Sequence, residues 1–146
     1  MTVSPSEPAM AEPTFAPAPI EVRVSANAAH LSVVRAVAAD LAMREDFDLD
    51  SIADLKLAVD EACSTLIGVA TRGAALSCRF SPSAGRVVVD VSVLADEPHE
   101  PKQDTFGWRV LSTLADEVTA STTPADSGKH LVRIELSKAS GTVVGA

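Results

Sequence analysis

From Ile20 onward the chain switches repeatedly between two hydrophobic periods. In "IEVRVS" every second residue is apolar, so Ile20, Val22 and Val24 share one face, the pattern of a strand. "LSVVRAVAADLAM" moves to helical spacing, with Val34, Val37, Ala38 and Leu41 on one stripe. "REDFDLD" is an acidic connection. Ser51, followed three residues later by Asp54, resembles a capping box that opens a second helix. That helix carries Ile52, Leu55, Val59, Ala62 and Leu66 at alternating steps of three and four, a well-defined buried seam.

Alternation then returns. "ALSCRF" sets Leu76, Cys78 and Phe80 on one face, "SPSAG" turns the chain, and "RVVVDVSVL" aligns Val87, Val89, Val91 and Val93. Asp90 and Ser92 point the other way, so one side of this sheet is the wetter. "ADEPHEPKQD" reads as a loop. "TFGWRVLSTLADEV" reads as a third helix, with Leu111, Leu114, Ala115 and Val118 on one face, and "HLVRIEL" as a strand after the turn "TPADSGK". The order is strand, two helices, two strands, helix, one or two strands, without internal repeat. It predicts an α+β domain, a two-layer sandwich of helices on a mostly antiparallel sheet. The domain is expected over residues 20–140, between a tail at 1–19 and a short tail at 141–146.

The first nineteen residues hold five of the nine prolines. Proline at that density removes backbone donors and blocks helix, which predicts a disordered tail. It has neither the basic nor the apolar segment of a signal peptide. The 146 residues suffice for one core without a staple. Aromatics are 3% and tyrosine is absent, so Val, Ala and Leu must fill the interior. Cys63 and Cys78 both fall in apolar-periodic segments, which favours free thiols in a reducing cytoplasm over a disulfide. His99 and His130 lack zinc-ligand spacing, and no apolar run is long enough to span a membrane. A net charge of −8 argues against direct nucleic-acid binding, which needs a basic stripe, and suits a basic partner.

The stretch richest in chemistry is "DLKLAVDEACSTLIGVA". On a helix Glu61 shares a face with Leu57 and Ala58 behind it and Thr65 one turn ahead. Asp60 points about a quarter-turn away, four residues after Lys56, and reads as a solvated surface charge. On composition alone Glu61 reads the same way, because most helical carboxylates are simply wet.

The pattern as a whole resembles a known family. "LKLAVDEACSTLI" is similar to the helix that carries the conserved asparagine box of the anti-sigma-factor serine kinases, which share a superfamily with histidine-kinase ATPase domains and gyrase. "SANAAHLSVVRAVAADL" resembles the family's first strand and helix with its single helix arginine, here Arg35. "FGWRVLSTLADEV" resembles the helix after the second glycine box, with Trp108 where the nucleotide lid begins. The likeness covers about 110 residues from Ile20 and is strongest to the mycobacterial-type branch.

The resemblance implies the Bergerat, or histidine-kinase-like ATPase, fold. It gives Glu61 the role of general base toward a serine hydroxyl and Thr65 the position of the asparagine that ligates Mg²⁺ on ATP. Phosphoryl transfer needs both a base and neutralised phosphates. Threonine is shorter than asparagine, and Mg²⁺ usually keeps only one or two protein ligands, so the replacement is serious. The adenine-reading aspartate falls on Asp96, within "VLADEPHEP", which has no glycine to let backbone approach a nucleotide. The second glycine box is reduced to Thr105 and Gly107.

The family also binds proteins: an alternative sigma factor, and an anti-anti-sigma antagonist of the STAS type that relieves it. The resemblance makes Arg35 the residue facing these partners and implies a homodimer. The expectation is therefore an anti-sigma factor acting by sequestration with a vestigial ATP and Mg²⁺ site. A working serine kinase of the same family is the alternative, and an unrelated acidic interaction module a third reading.

Overall fold

A computed structural model of the chain describes residues 19–141. The tails expected at 1–19 and 141–146 lie outside the described residues apart from Pro19 and Gly141. Five strands form one antiparallel sheet in the order β1-β2-β3-β5-β4. They are β1 (Ile20–Ser25), β2 (Ala75–Ser83), β3 (Arg86–Ala95), β4 (Glu117–Pro124) and β5 (His130–Ala139). Helices α1 (Leu31–Arg44), α2 (Leu49–Ile67) and α3 (Phe106–Leu114) form the second layer. The α+β two-layer architecture expected from the periodicity is the one the chain adopts.

The alternation of β2 and β3 sorts their side chains cleanly. Leu76, Cys78 and Phe80 of β2 and Val87, Val89, Val91 and Val93 of β3 are buried toward the helices. Val132, Ile134 and Leu136 of β5 continue that layer. Val34, Ala38 and Leu41 of α1, and Leu55, Val59, Ala62 and Leu66 of α2, close over it. Fully burying one such aliphatic side chain stabilises by roughly 1.5–3 kcal/mol, so the valine ladder is a main source of stability in a chain poor in aromatics.

The opposite face of the sheet carries polar residues. Direct cross-strand register lines up Glu21, Arg79, Asp90 and Glu135 across four strands. Arg79 pairs with Glu21 at 3.0 Å and Arg133 with Asp90 at 3.1 Å. No helix of the described residues covers this face, in keeping with the outward Asp90 and Ser92 read from alternation.

Two boundaries differ from expectation. The third helix stops at Leu114, and Val118 belongs to β4. Leu111, Leu114, Ala115 and Val118 satisfy helical spacing, but Ala115 is already extended (ψ 154°) and the Asp116 amide bonds Ser137 O at 2.8 Å. Pairing of Val118 with Leu136 and Ala120 with Ile134 outweighs the local pattern. At the start of α2 the cap is Asp48, whose carboxylate accepts from the Ser51 amide at 3.3 Å. Ser51, expected as the cap, is buried within the first turn, and its hydroxyl accepts from the Gly141 amide at 2.9 Å.

The hairpins follow from turn chemistry. Between β2 and β3 both Ala84 and Gly85 have positive φ, as a tight primed turn requires. Between β4 and β5, Ser127 and Gly128 do the same. β5 thereby inserts between β3 and β4, its partners on both sides.

Candidate functional site

The nineteen-residue helix α2 is the structural spine of the site. Its seam is anchored in the core, which leaves Glu61 and Thr65, one turn apart, half-buried on an adjacent face. Thr65 Oγ1 donates to Glu61 Oε2 at 3.4 Å, a long bond that orients both.

Helix α3 starts against this pair. Thr105 caps it, its hydroxyl accepting from the Trp108 amide at 3.2 Å. Gly107, in the first turn, lies against Glu61: a Cβ added there would overlap Oε2 and stand 3.3 Å from Cδ. Glycine is what lets the helix start approach the carboxylate so closely. The negative charge sits beside the positive end of α3, a favourable arrangement.

Thr65 also faces a cavity of about 240 Å³. Leu66, Val69, Pro101, Trp108 and Val132 give it apolar walls, and His99, Lys102 and Thr105 add polar edges. The loop that closes it is pinned where the Thr122 hydroxyl donates to His99 O at 2.6 Å. The sequence pointed to Thr65, Thr105 and Trp108 here but gave no sign of Pro101, Lys102 and Val132. Only the proline-rich composition of "ADEPHEPKQD" hinted that this loop would be stiff enough to form a wall.

The other expected residues lie apart. Asp96 accepts from Lys129 Nζ at 2.6 Å and from the Thr71 hydroxyl at 3.0 Å. Those bonds, the lysine's first, hold its carboxyl below the usual aspartate range. It does not line the cavity beside Thr65. Arg35, on α1, pairs with Asp60 of α2 at 2.5 Å, with about a third of each side chain exposed. Asp60, read from the sequence as a solvated charge, is thus the partner that holds the Arg35 fork, and the contact joins α1 to α2. The structure brings Glu61, Thr65 and Gly107 together and leaves Asp96 and Arg35 elsewhere.

Tested against Mg²⁺ and ATP, these residues fit poorly. Small-molecule sites usually enclose roughly 300–1,000 Å³, and this cavity is smaller. Asp96 already has two partners, and Gly107 is stacked on Glu61 rather than facing open space. Glu61 and Thr65 place a carboxylate beside a hydroxyl. No helix among the described residues is long and apolar enough to cross a membrane.

Comparison with known proteins agrees with the fold. The chain is 37% identical over 99 residues to the anti-sigma-F factor RsbW of Mycobacterium tuberculosis, in both strain CDC 1551 / Oshkosh and strain H37Rv. The match takes in 68% of this chain and 59% of each relative, so it spans less than two thirds of their length. The model of the histidine kinase-like ATPase domain matches residues 24–135, from β1 into β5. Extending across all three helices and every strand at least in part, that match makes the chain a member of the histidine kinase-like ATPase domain family.

Proposed function

We propose that this domain is an anti-sigma factor that sequesters an alternative RNA polymerase sigma factor and is released by an anti-anti-sigma antagonist of the STAS type. The observation that carries the reading is the 37% identity over 99 residues to anti-sigma-F factors. The charge balance supports it: a domain of net charge −8 complements a partner that is basic where it meets DNA. Masking such a surface inhibits without any chemistry. On this reading Arg35, at the solvent side of α1 and α2, contacts the partner, and the protein works in the cytoplasm as a homodimer.

The small cavity, the engaged Asp96 and the stacked Gly107 support a vestigial nucleotide site. Glu61 is then the relic of a base, which a carboxylate without metal or substrate amounts to. One observation favours the kinase alternative: Glu61 and Thr65 still adjoin, so a base and a hydroxyl remain side by side. Both readings meet in one experiment. The tagged full-length chain is mixed with each alternative sigma factor of its own organism, with and without Mg-ATP, and with an anti-anti-sigma protein. Stable co-elution with a sigma factor that ignores nucleotide supports sequestration. Phosphate appearing on a serine of the antagonist would establish the kinase, and failure to retain any sigma factor would sink the first reading.

A further inference from the structure

Cys63 on α2 and Cys78 on β2 are fifteen residues apart in the chain, and their sulfurs lie 3.9 Å from each other. Both are free and buried, 0% and 1% exposed. Cys78 occupies the inward row of β2 between Leu76 and Phe80, directly beneath the helix that carries Cys63. Neither sulfur serves the cavity beside Thr65, and no third ligand joins them to hold a metal among the described residues. A disulfide has an S–S length of about 2.05 Å, so the two sulfurs need approach by only roughly 2 Å.

We propose that Cys63 and Cys78 form an oxidisable dithiol which, on reaction with hydrogen peroxide, converts the packing of α2 on β2 into a covalent staple. One sulfur, as thiolate, attacks a peroxide oxygen. The O–O bond breaks, a sulfenic acid forms and one water leaves. The second sulfur attacks the sulfenic sulfur, the S–O bond breaks, the S–S bond forms and a second water leaves. The thiol pair gives up two electrons and two protons, and the peroxide is reduced to two waters.

The surroundings set how the pair responds. The adjoining sulfur of Cys78, then burial, then the charge of Asp60 hold the Cys63 thiol well above the ordinary thiol range. Thiolate is therefore scarce while the layers stay packed, and the reaction waits on local opening of α2 from β2. The pair ignores brief exposure to oxidant and responds to sustained exposure. Its product acts on α2, the helix that also carries Asp60 against Arg35 and Glu61 against Gly107.

The test uses the full-length chain, fully reduced, incubated with hydrogen peroxide, then denatured and alkylated for mass spectrometry. The expected result is the loss of two hydrogen masses, no alkylation at either cysteine, and a peptide pair joining Cys63 to Cys78. The melting temperature should rise by several degrees and return on treatment with dithiothreitol. Cys63→Ala and Cys78→Ala should each abolish the mass change, so either variant serves if the other does not fold. Oxygen added to a single cysteine without a linked peptide, cross-links between two chains, or both thiols still alkylated after long exposure would each overturn the proposal.

Discussion

The carboxylate of Glu61 occupies the space that a methyl group on Gly107 would need. This contact seats the start of α3 on α2. Gly107→Ala should therefore be nearly neutral in stability. Alanine gains up to about 1 kcal/mol of helix propensity, while the flexible end of Glu61 must swing aside. The coupling is the informative quantity. In urea denaturation, Gly107→Ala combined with Glu61→Ala should be more stable than additivity predicts, by about 0.5–1 kcal/mol. Simple additivity would mean that Glu61 has another resting position of equal energy.

Trp108 lines the cavity beside Thr65, so its fluorescence reports on anything that enters. Titration with Mg-ATP should leave the emission unchanged to millimolar concentration, with calorimetry equally silent. Saturable, Mg-dependent binding would return Thr65 to service as a ligand and put the kinase reading first.

Arg35 is already paired in the free chain. A partner carboxylate that takes the Nη1 edge of the guanidinium must displace Asp60. Arg35→Ala should weaken sigma-factor binding by about 2 kcal/mol if it is a central anchor. Asp60→Asn should tighten binding several-fold, because the internal competitor loses its charge. Neither change should cost more than about 1 kcal/mol of stability, since the pair is a third exposed. Glu61→Ala should leave binding nearly unchanged. Equal small effects of Arg35→Ala and Glu61→Ala would move the partner surface elsewhere.

Asp48 and Asp96 both have carboxyls held below the usual range, Asp48 first by Ser51 and Asp96 first by Lys129. A lowered native value means the folded state binds its proton later than the unfolded chain. The stability these groups supply is complete above the unfolded aspartate value of about 3.9 and fades as pH falls through it toward the lowered native value. Urea midpoints should be level from neutral pH to about 5 and decline below about 4. Asp96→Asn should make that decline shallower. An unchanged slope would assign the acid response to other carboxylates.

Periodicity made most of this architecture readable because burial itself is periodic. The inward valines of β3 and the seam of α2 are the same residues in sequence and in space. The misread segment was Ala115 to Val118, where local spacing suits a helix and only pairing with β5, some twenty residues later, decides for a strand. The cap at Asp48 went to the wrong residue because Ser51 and Asp54 also fit a capping pattern. The site was legible only where its members share one helix, as Glu61 and Thr65 do. Arg35 with Asp60, and Asp96 with Lys129 and Thr71, join residues 25 or more positions apart, and one sequence carries no signal for such pairs.

The insertion of β5 between β3 and β4 also sets a timetable for folding. β4 bonds to the sheet only through β5, so it has no strand to join until His130–Ala139 have been synthesised. Until then β3 presents an unpaired edge with a row of buried-type valines beside it, the surface on which nascent chains aggregate. Among the described residues β5 is the strand that seals the sheet, and a chain truncated before His130 has nothing to join β3 to β4.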